Sequence, residues 1–409
     1  MELDTLAAER SRPDDLIRPA QPRLKWVVLS LSALTNAVAV AMPAMAMTVL
    51  MPEIARDLNL TLVQAGLVWG LSGLPTMLIG VFGGAIGDRF GPQRILIGGC
   101  LLAGLLGALR GAAGDLTTLM AAVLLLGLVG PVVIMSNFKL AGAWFARREL
   151  GFANGVLSMG MALGFLVGSM ISATVVSPWL GGWRPVFILY GVLAGALALP
   201  WSLMRTAPAS VSGAPPAPAR SMLATLRSVA RLKNIWLLSL AVMGLSGGIQ
   251  GLLGYLPLYL RGLGWPAVPA DSALGAFHLV SLLCVLPIAL GSDRLGARKH
   301  LLLGMAVLIA TGIGALSFLQ GGAIWGAVIL AGFVRDGFMA ILNTAVFETR
   351  GVDQASSGTA MGFSMMFIGL GALLAPPLGN SLAAVAPGAP FLFWSGLSLF
   401  GLVCLVFAE

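Results

Sequence analysis

The sequence predicts an all-α membrane protein of twelve transmembrane helices in two pseudo-symmetric six-helix bundles. Composition, the length of the apolar runs and an internal repeat predict it. Of 409 residues, 58% are hydrophobic and only 10% are charged, against roughly a quarter charged in a soluble domain. The apolar residues fall in runs of about 20, enough for a helix rising about 1.5 Å per residue to cross roughly 30 Å of hydrocarbon. In lipid only helices and closed barrels satisfy their backbone groups, and these runs lack the period-2 alternation of barrel strands.

The first six spans run roughly from Trp26 to Met51, Leu62 to Ile86, Ile95 to Ala113, Thr117 to Phe145, Gly151 to Val176 and Trp183 to Met204. The second six run roughly from Ile235 to Leu260, Asp271 to Gly291, His300 to Leu319, Ala323 to Val346, Ser356 to Asn380 and Phe391 to Phe407. The expected divisions are a cytoplasmic tail over 1–25, a first bundle over 26–204, a cytoplasmic linker over 205–234 and a second bundle over 235–409. Pro208, Pro215, Pro216 and Pro218 forbid a continuous helix in the linker. Its later part alternates Leu223, Leu226 and Val229 with Arg220, Arg227 and Arg231, which suits either a short basic helix lying on anionic lipid or a solvated loop.

Orientation follows from the basic residues. With the amino terminus inside, 18 of the 24 Lys and Arg residues fall in cytoplasmic segments, while Arg56, Arg110, Arg184 and Arg261 remain outside. This bias places both termini in the cytoplasm, in what is expected to be a bacterial inner membrane. The net charge of +8 is then topology, with no call for nucleic acid. Residues 1–23 lack the apolar stretch of a cleavable signal peptide. Cys100, Cys284 and Cys404 have no metal-ligand spacing, so no metal site or other cofactor is expected.

The repeat is written in charged residues. "GDRFGPQR" from Gly87 to Arg94 recurs as "SDRLGARK" from Ser292 to Lys299, a shift of 205 that also carries Pro52 onto Pro257. A shift of 203 carries Arg147 and Gly155 onto Arg350 and Gly358. Six-span repeats are a transporter architecture, with substrate held near the midplane between halves that rock.

The stretch "GGAIGDRFGPQR" from Gly83 to Arg94 resembles the loop signature Gly-x-x-x-Asp-Arg-x-Gly-Arg-Arg of the major facilitator superfamily, through Gly84, Asp88, Arg89, Gly91 and Arg94. Pro92 and Gln93 depart from it where basic residues are usual, while Arg298 and Lys299 restore the basic pair in the second copy. The resemblance spans essentially the whole chain and implies a transporter fold without specifying substrate. An Asp in such a loop can accept from a helix amino terminus or pair with Arg when the cytoplasmic faces meet. The latch expected on this basis comprises Asp88, Arg89, Arg94, Arg147 and Arg148 in the first half, and Asp293, Arg294 and Arg350 in the second. The alternative is that these residues only mark topology. Gly151, Gly155, Gly160, Gly164 and Gly168 of the fifth span are spaced for close helix packing, expected at the rocking interface. That span contains no Gly-Pro element of the kind usual in drug-proton antiporters of the superfamily.

Ionisable groups at membrane depth mark the expected substrate site. Lys139 lies in the fourth span, Arg335 and Asp336 near the middle of the tenth, and His278 in the outer part of the eighth. Repeat alignment sets Val132, Val133 and Leu342 opposite Arg335, Asp336 and Lys139, so the charges break the symmetry. Asp336 shares a helix face with Asn343. Two arrangements remain open: a Lys139–Asp336 pair that frees Arg335 for an anion, or a local Arg335–Asp336 pair that only holds the bundle together. Asn36 and Gln250 are further candidate contacts, and Asp336 and His278 are candidate proton carriers.

The expected function is secondary active transport of a small, carboxylate-like organic anion linked to protons. Proton-coupled efflux of amphipathic compounds is the alternative, and a non-transporting membrane sensor a further one. A channel is disfavoured because no span carries a ring-forming charged run. No nucleophile elbow, metal cluster or phosphate loop is visible, so the chain is not expected to be an enzyme. The expected partners are a small-molecule substrate, protons and membrane lipids, with no obligate protein partner evident.

Overall fold

The computed structural model describes residues 22–78, 91–204, 222–295, 298–352 and 356–408. The helices are α1 (Arg23–Asp57), α2 (Leu62–Leu78), α3 (Pro92–Gly111), α4 (Leu116–Trp144), α5 (Glu149–Leu180) and α6 (Trp183–Leu203), then α7 (Lys233–Gly262), α8 (Ala267–Leu295), α9 (Arg298–Ala315), α10 (Ala323–Glu348), α11 (Ser357–Ala384) and α12 (Ala389–Phe407). Among the described residues eleven helices are long and apolar enough to cross a membrane, and α2 ends at the limit of description. The expected spans are recovered to within about six residues, apart from the end of the second at Ile86, which lies outside the described residues. The later linker forms a short helix, Met222–Val229.

Local chemistry sets the helix ends. Thr61 and Gln64 form a capping box at the start of α2, and Asp115 and Thr118 form one at the start of α4. The amide and hydroxyl of Thr118 hold the exposed Asp115 carboxyl below the usual carboxylate range. Gly91 takes φ 77, open to glycine at little cost, and Pro92 then opens α3 where its missing N–H is harmless. Gln93, which departs from the family loop, has a structural role: its Nε2 donates to Trp201 O at 2.7 Å and Met204 O at 2.8 Å, capping the end of α6.

Two helices carry a π-helical turn, Asn36–Ala41 in α1 and Ser172–Val176 in α5. Each turn ends two residues before a proline, Pro43 or Pro178. Proline cannot donate the next helical bond, so the preceding turn loosens.

The first six helices pack among themselves, chiefly α3 on α4 and α6, and α1 on α5; the last six do likewise, chiefly α7 on α11 and α12, and α8 on α10. Gly160, Gly164 and Gly168 lie against the backbone of α1 at Ala33, Ala37 and Met42, where a methyl group would collide. The α5 glycines therefore serve packing inside the first six helices. This corrects the expectation that they form the rocking interface, and Gly151 and Gly155 meet nothing within 4 Å.

Among the described residues, contacts between the halves lie toward the end remote from the chain termini, called here the far end. There α2 packs on α11: a Cβ on Gly66 would sit 2.8 Å from Asn380 Nδ2, and one on Gly73 would sit 2.7 Å from Leu373 N. Asn380 Nδ2 donates to Leu62 O at 2.8 Å, and Trp69 Nε1 donates to Gln250 O at 2.8 Å. On the other side α5 meets α8, where Gly275 accepts Met170.

Candidate functional site

The site is built around a break in α10. Its two helical segments, Ala323–Phe333 and Arg335–Glu348, meet at Val334, whose φ of −107 and ψ of −4 interrupt the regular helix. Gly332 lies against Phe277 and Gly337 against Ile288, so α10 crosses α8 at close range on both sides of the break. The second segment therefore begins at membrane depth with a first turn of its own, the kind of helix start around which discontinuous helices form polar sites.

Arg335 and Asp336 occupy that first turn. Arg335 Nη1 donates to Asp336 Oδ1 at 2.6 Å, and Ser281 Oγ of α8 donates to Asp336 Oδ2 at 2.7 Å. Asp336 N lies 3.3 Å from the same Ser281 oxygen. Both carboxylate oxygens are thus engaged, and the charge stands near the positive end of the helical segment. Of the two arrangements left open by the sequence, the structure holds the local pair of Arg335 with Asp336. The pair is only partly covered, with side-chain exposures of 23% for Arg335 and 31% for Asp336. It remains open to a ligand.

The other sequence-derived candidates separate into distinct environments. Lys139 is half-buried on α4, and Asn343 is half-buried on α10 two turns beyond Asp336. Asn36 is sealed inside the first six helices: Asn137 Nδ2 donates to its Oδ1 at 2.7 Å, and its own Nδ2 donates to Leu157 O at 3.3 Å. It is a tie between α1, α4 and α5 and does not line a cavity. Gln250 reaches Ser72 Oγ at 3.4 Å, so it belongs to the seam between α7 and α2. His278 is buried, its Nε2 3.1 Å from Met45 Sδ and its ring 5.3 Å from that of Phe165. These contacts make His278 part of the far-end seam between α8 and the pair α1 and α5.

At the terminal end, Asp88 and Arg89 lie outside the described residues, as do the side chains of Arg147, Arg148, Asp293 and Arg294. Arg94 and Arg350 are exposed. Arg350 lines a cavity of about 490 Å³ with Arg298, Lys299, Glu348 and Asn234, in which Arg298 pairs with Glu348. Lys25 at the start of α1 binds Glu149 at the start of α5, 3.0 Å apart.

Three groups escaped the sequence reading. Ser281 is a single hydroxyl in an apolar run, and only its approach to α10 reveals it. Arg110, at the outer end of the third span, is 3% exposed: Nη1 donates to Pro43 O at 3.1 Å, and the guanidinium stacks 4.3 Å from the Phe187 centroid. Arg110 thus lends a donor from α3 to the backbone of α1 just beyond the π turn. Asp271, the first residue of the expected eighth span, is fully buried and paired with Arg261 at 2.6 Å. The seven-residue helical spacing from Asp271 to His278 is the available signal.

Comparison with known proteins agrees with this architecture. Residues 29–359 match the Major Facilitator Superfamily. A probable nitrate/nitrite transporter of Mycobacterium tuberculosis, NarK2, is 30% identical over 62% of this chain and 63% of its own length, so the chain spans less than two thirds of that relative. The 3-(3-hydroxy-phenyl)propionate transporter of Escherichia coli is 27% identical over 85% of this chain and 86% of its own. Among solved structures, nucleoside transporter NupG superposes with a TM-score of 0.77 at 14% identity, covering 94% of this chain and 99% of that one. A bacterial homolog of the human lysosomal transporter Spinster, inward-facing and unoccupied, gives 0.72 at 17% identity, covering 95% of each. At such identities the superpositions speak for the fold alone. With the family match covering most of the sequence, the chain belongs to the Major Facilitator Superfamily.

Proposed function

We propose that this protein is a secondary carrier that moves a small organic anion together with protons by alternating access of two six-helix halves, residues 26–204 and 235–409. The carrying observation is the partly exposed Arg335–Asp336 pair at the break in α10. Protonation of Asp336 releases Arg335, whose planar fork then receives a carboxylate or similar anion in its place. One proton and one monoanion thus enter together, leaving the site's net charge unchanged. Lys139 and Asn343 are proposed as further contacts to the anion. Relatives named for nitrate/nitrite, sulfoacetate and hydroxyphenylpropionate, all anions, support this reading.

With both termini cytoplasmic, the joined far end is the outer face, and this is an inward-facing form. Asp88, Arg147 and Arg148, with Asp293 and Arg350, would latch the cytoplasmic face in the opposite form. The linker helix would lie on anionic lipid.

A second reading is proton-coupled efflux of amphipathic compounds. Multidrug resistance protein MdtG of Klebsiella pneumoniae, 25% identical over 83% of this chain and 82% of its own, favours it. A thermal-shift screen of purified protein against carboxylates, inorganic anions and lipophilic cations at two pH values separates the two, since a ligand stabilises the state it binds. Stabilisation by anions that grows at the lower pH supports the first reading; stabilisation by lipophilic cations alone replaces it with the second.

A further inference from the structure

Asp271 is a buried carboxylate for which the transport site has no use. It sits one turn outward from Gly275 and two from His278 on the stripe of α8 that faces the first six helices, since Gly275 meets Met170 and His278 meets Met45. Its side chain is 0% exposed. Arg261 Nη2 donates to Oδ2 at 2.6 Å, while Oδ1 has no hydrogen-bond partner among the described residues, and neither has Arg261 Nε.

The surrounding elements can be enumerated. From α7 comes Arg261. From α1 comes the half-buried Glu53, two turns outward from Met45 as Asp271 is two turns outward from His278, so the Met45–His278 contact sets the two carboxylates on facing stretches of the seam. From α5 comes Ser177, whose Oγ donates to Glu53 Oε2 at 2.6 Å. Further out on α1, Arg56 is exposed and Asp57 is paired with Arg184 at 2.9 Å. The near segment of α10, Ala323–Phe333, and the far end of α9 carry no titratable side chain.

One mostly covered cation, Arg261, therefore stands with the sealed carboxylate of Asp271 and the half-buried one of Glu53 in the seam. With all three ionised the cluster carries a net charge of −1, and one added proton makes it neutral. Uncompensated charge in a low-dielectric interior is strongly disfavoured, whereas opening the far end admits water and removes the penalty. We propose that Asp271 is the proton-binding group of a far-end gate: closing the gate takes up one proton on the Asp271–Arg261–Glu53 cluster, and opening it releases that proton. This goes beyond the transport reading, because the gate would respond to protons on the far side whether or not substrate flux is proton-linked.

The sign follows from linkage. The closed form binds more protons than the open form, so acid favours closure and alkali favours opening, by up to about tenfold in population ratio per pH unit for one proton. The test is a distance measurement in nanodiscs between spin labels at Trp179→Cys and Val268→Cys, both exposed at the far end, after replacement of Cys100, Cys284 and Cys404. Expected is a closed fraction that falls from pH 5 to pH 8. Asp271→Asn and Glu53→Gln each leave one acid against Arg261, so both are expected to stay closed across the range, while Asp271→Glu and the control Asp57→Asn keep the response. A flat profile in the wild type overturns the proposal, and so does an undiminished response in Asp271→Asn and Glu53→Gln. Uptake under an imposed pH gradient tests proton-linked flux separately.

Discussion

Ser281 Oγ stands 2.7 Å from Asp336 Oδ2 and 3.3 Å from Asp336 N, so one hydroxyl on α8 serves both the carboxylate and the first turn of the broken α10. Ser281→Ala removes both partners at once. The expected loss is about 1.5–3 kcal/mol, the range for hydrogen bonds to a charged group, read as a lower midpoint of thermal unfolding. Ser281→Thr keeps the hydroxyl and should recover most of it. A stability unchanged by alanine would mean that water replaces Ser281.

Arg335 and Asp336 are expected to separate by chemistry. Arg335→Ala should abolish anion binding, and Arg335→Lys should remain impaired, because an ammonium lacks the fork. Asp336→Asn should bind anion with reduced dependence on pH, since the group that releases Arg335 no longer titrates. Calorimetry at two pH values is the measurement. Full affinity in Arg335→Ala would end the anion assignment.

Gly73 of α2 packs against Gly369 and Leu373 of α11 with no room for a side chain. Gly73→Leu should therefore hold the far end apart and favour the opposite form by at least tenfold. Spin-label distances across the far end would lengthen. An unaltered distribution would show that the seam accommodates bulk by local shifts.

Arg110 tests whether a buried cation stabilises the first six helices. Arg110→Ala leaves a cavity and removes the hydrogen bond to the Pro43 carbonyl, for an expected cost of about 2–4 kcal/mol. Arg110→Met fills the volume and removes a desolvated charge, so it should cost at least about 1 kcal/mol less. Equal unfolding midpoints for the two variants would contradict this account.

Orientation is checked by single cysteines. Gly114 is exposed between α3 and α4, and Ala217 lies in the linker, outside the described residues. In intact cells an impermeant thiol reagent should label Gly114→Cys and spare Ala217→Cys. The reverse pattern would invert the topology.

Sequence alone determined the solvent, the number of spans and the repeat. Each is written locally: a run of about 20 apolar residues is a helix in lipid wherever it packs, and an Asp-Arg-x-x-Gly frame repeats whatever its partners. It also located Arg335 and Asp336, because charge at membrane depth is costly enough to be conspicuous. Tertiary structure decided everything that depends on which helix faces which. Asn36, Gln250 and His278 looked alike as isolated polar residues, yet one ties three helices of a single half, and the other two sit in the seam between halves. Ser281 gained its role only because Gly332 and Gly337 let α8 approach the break in α10. Arg110 and Asp271 lie near span ends, where the chain by itself predicts water. Neighbouring helices bury them, and burial by distant residues leaves no local mark in a sequence.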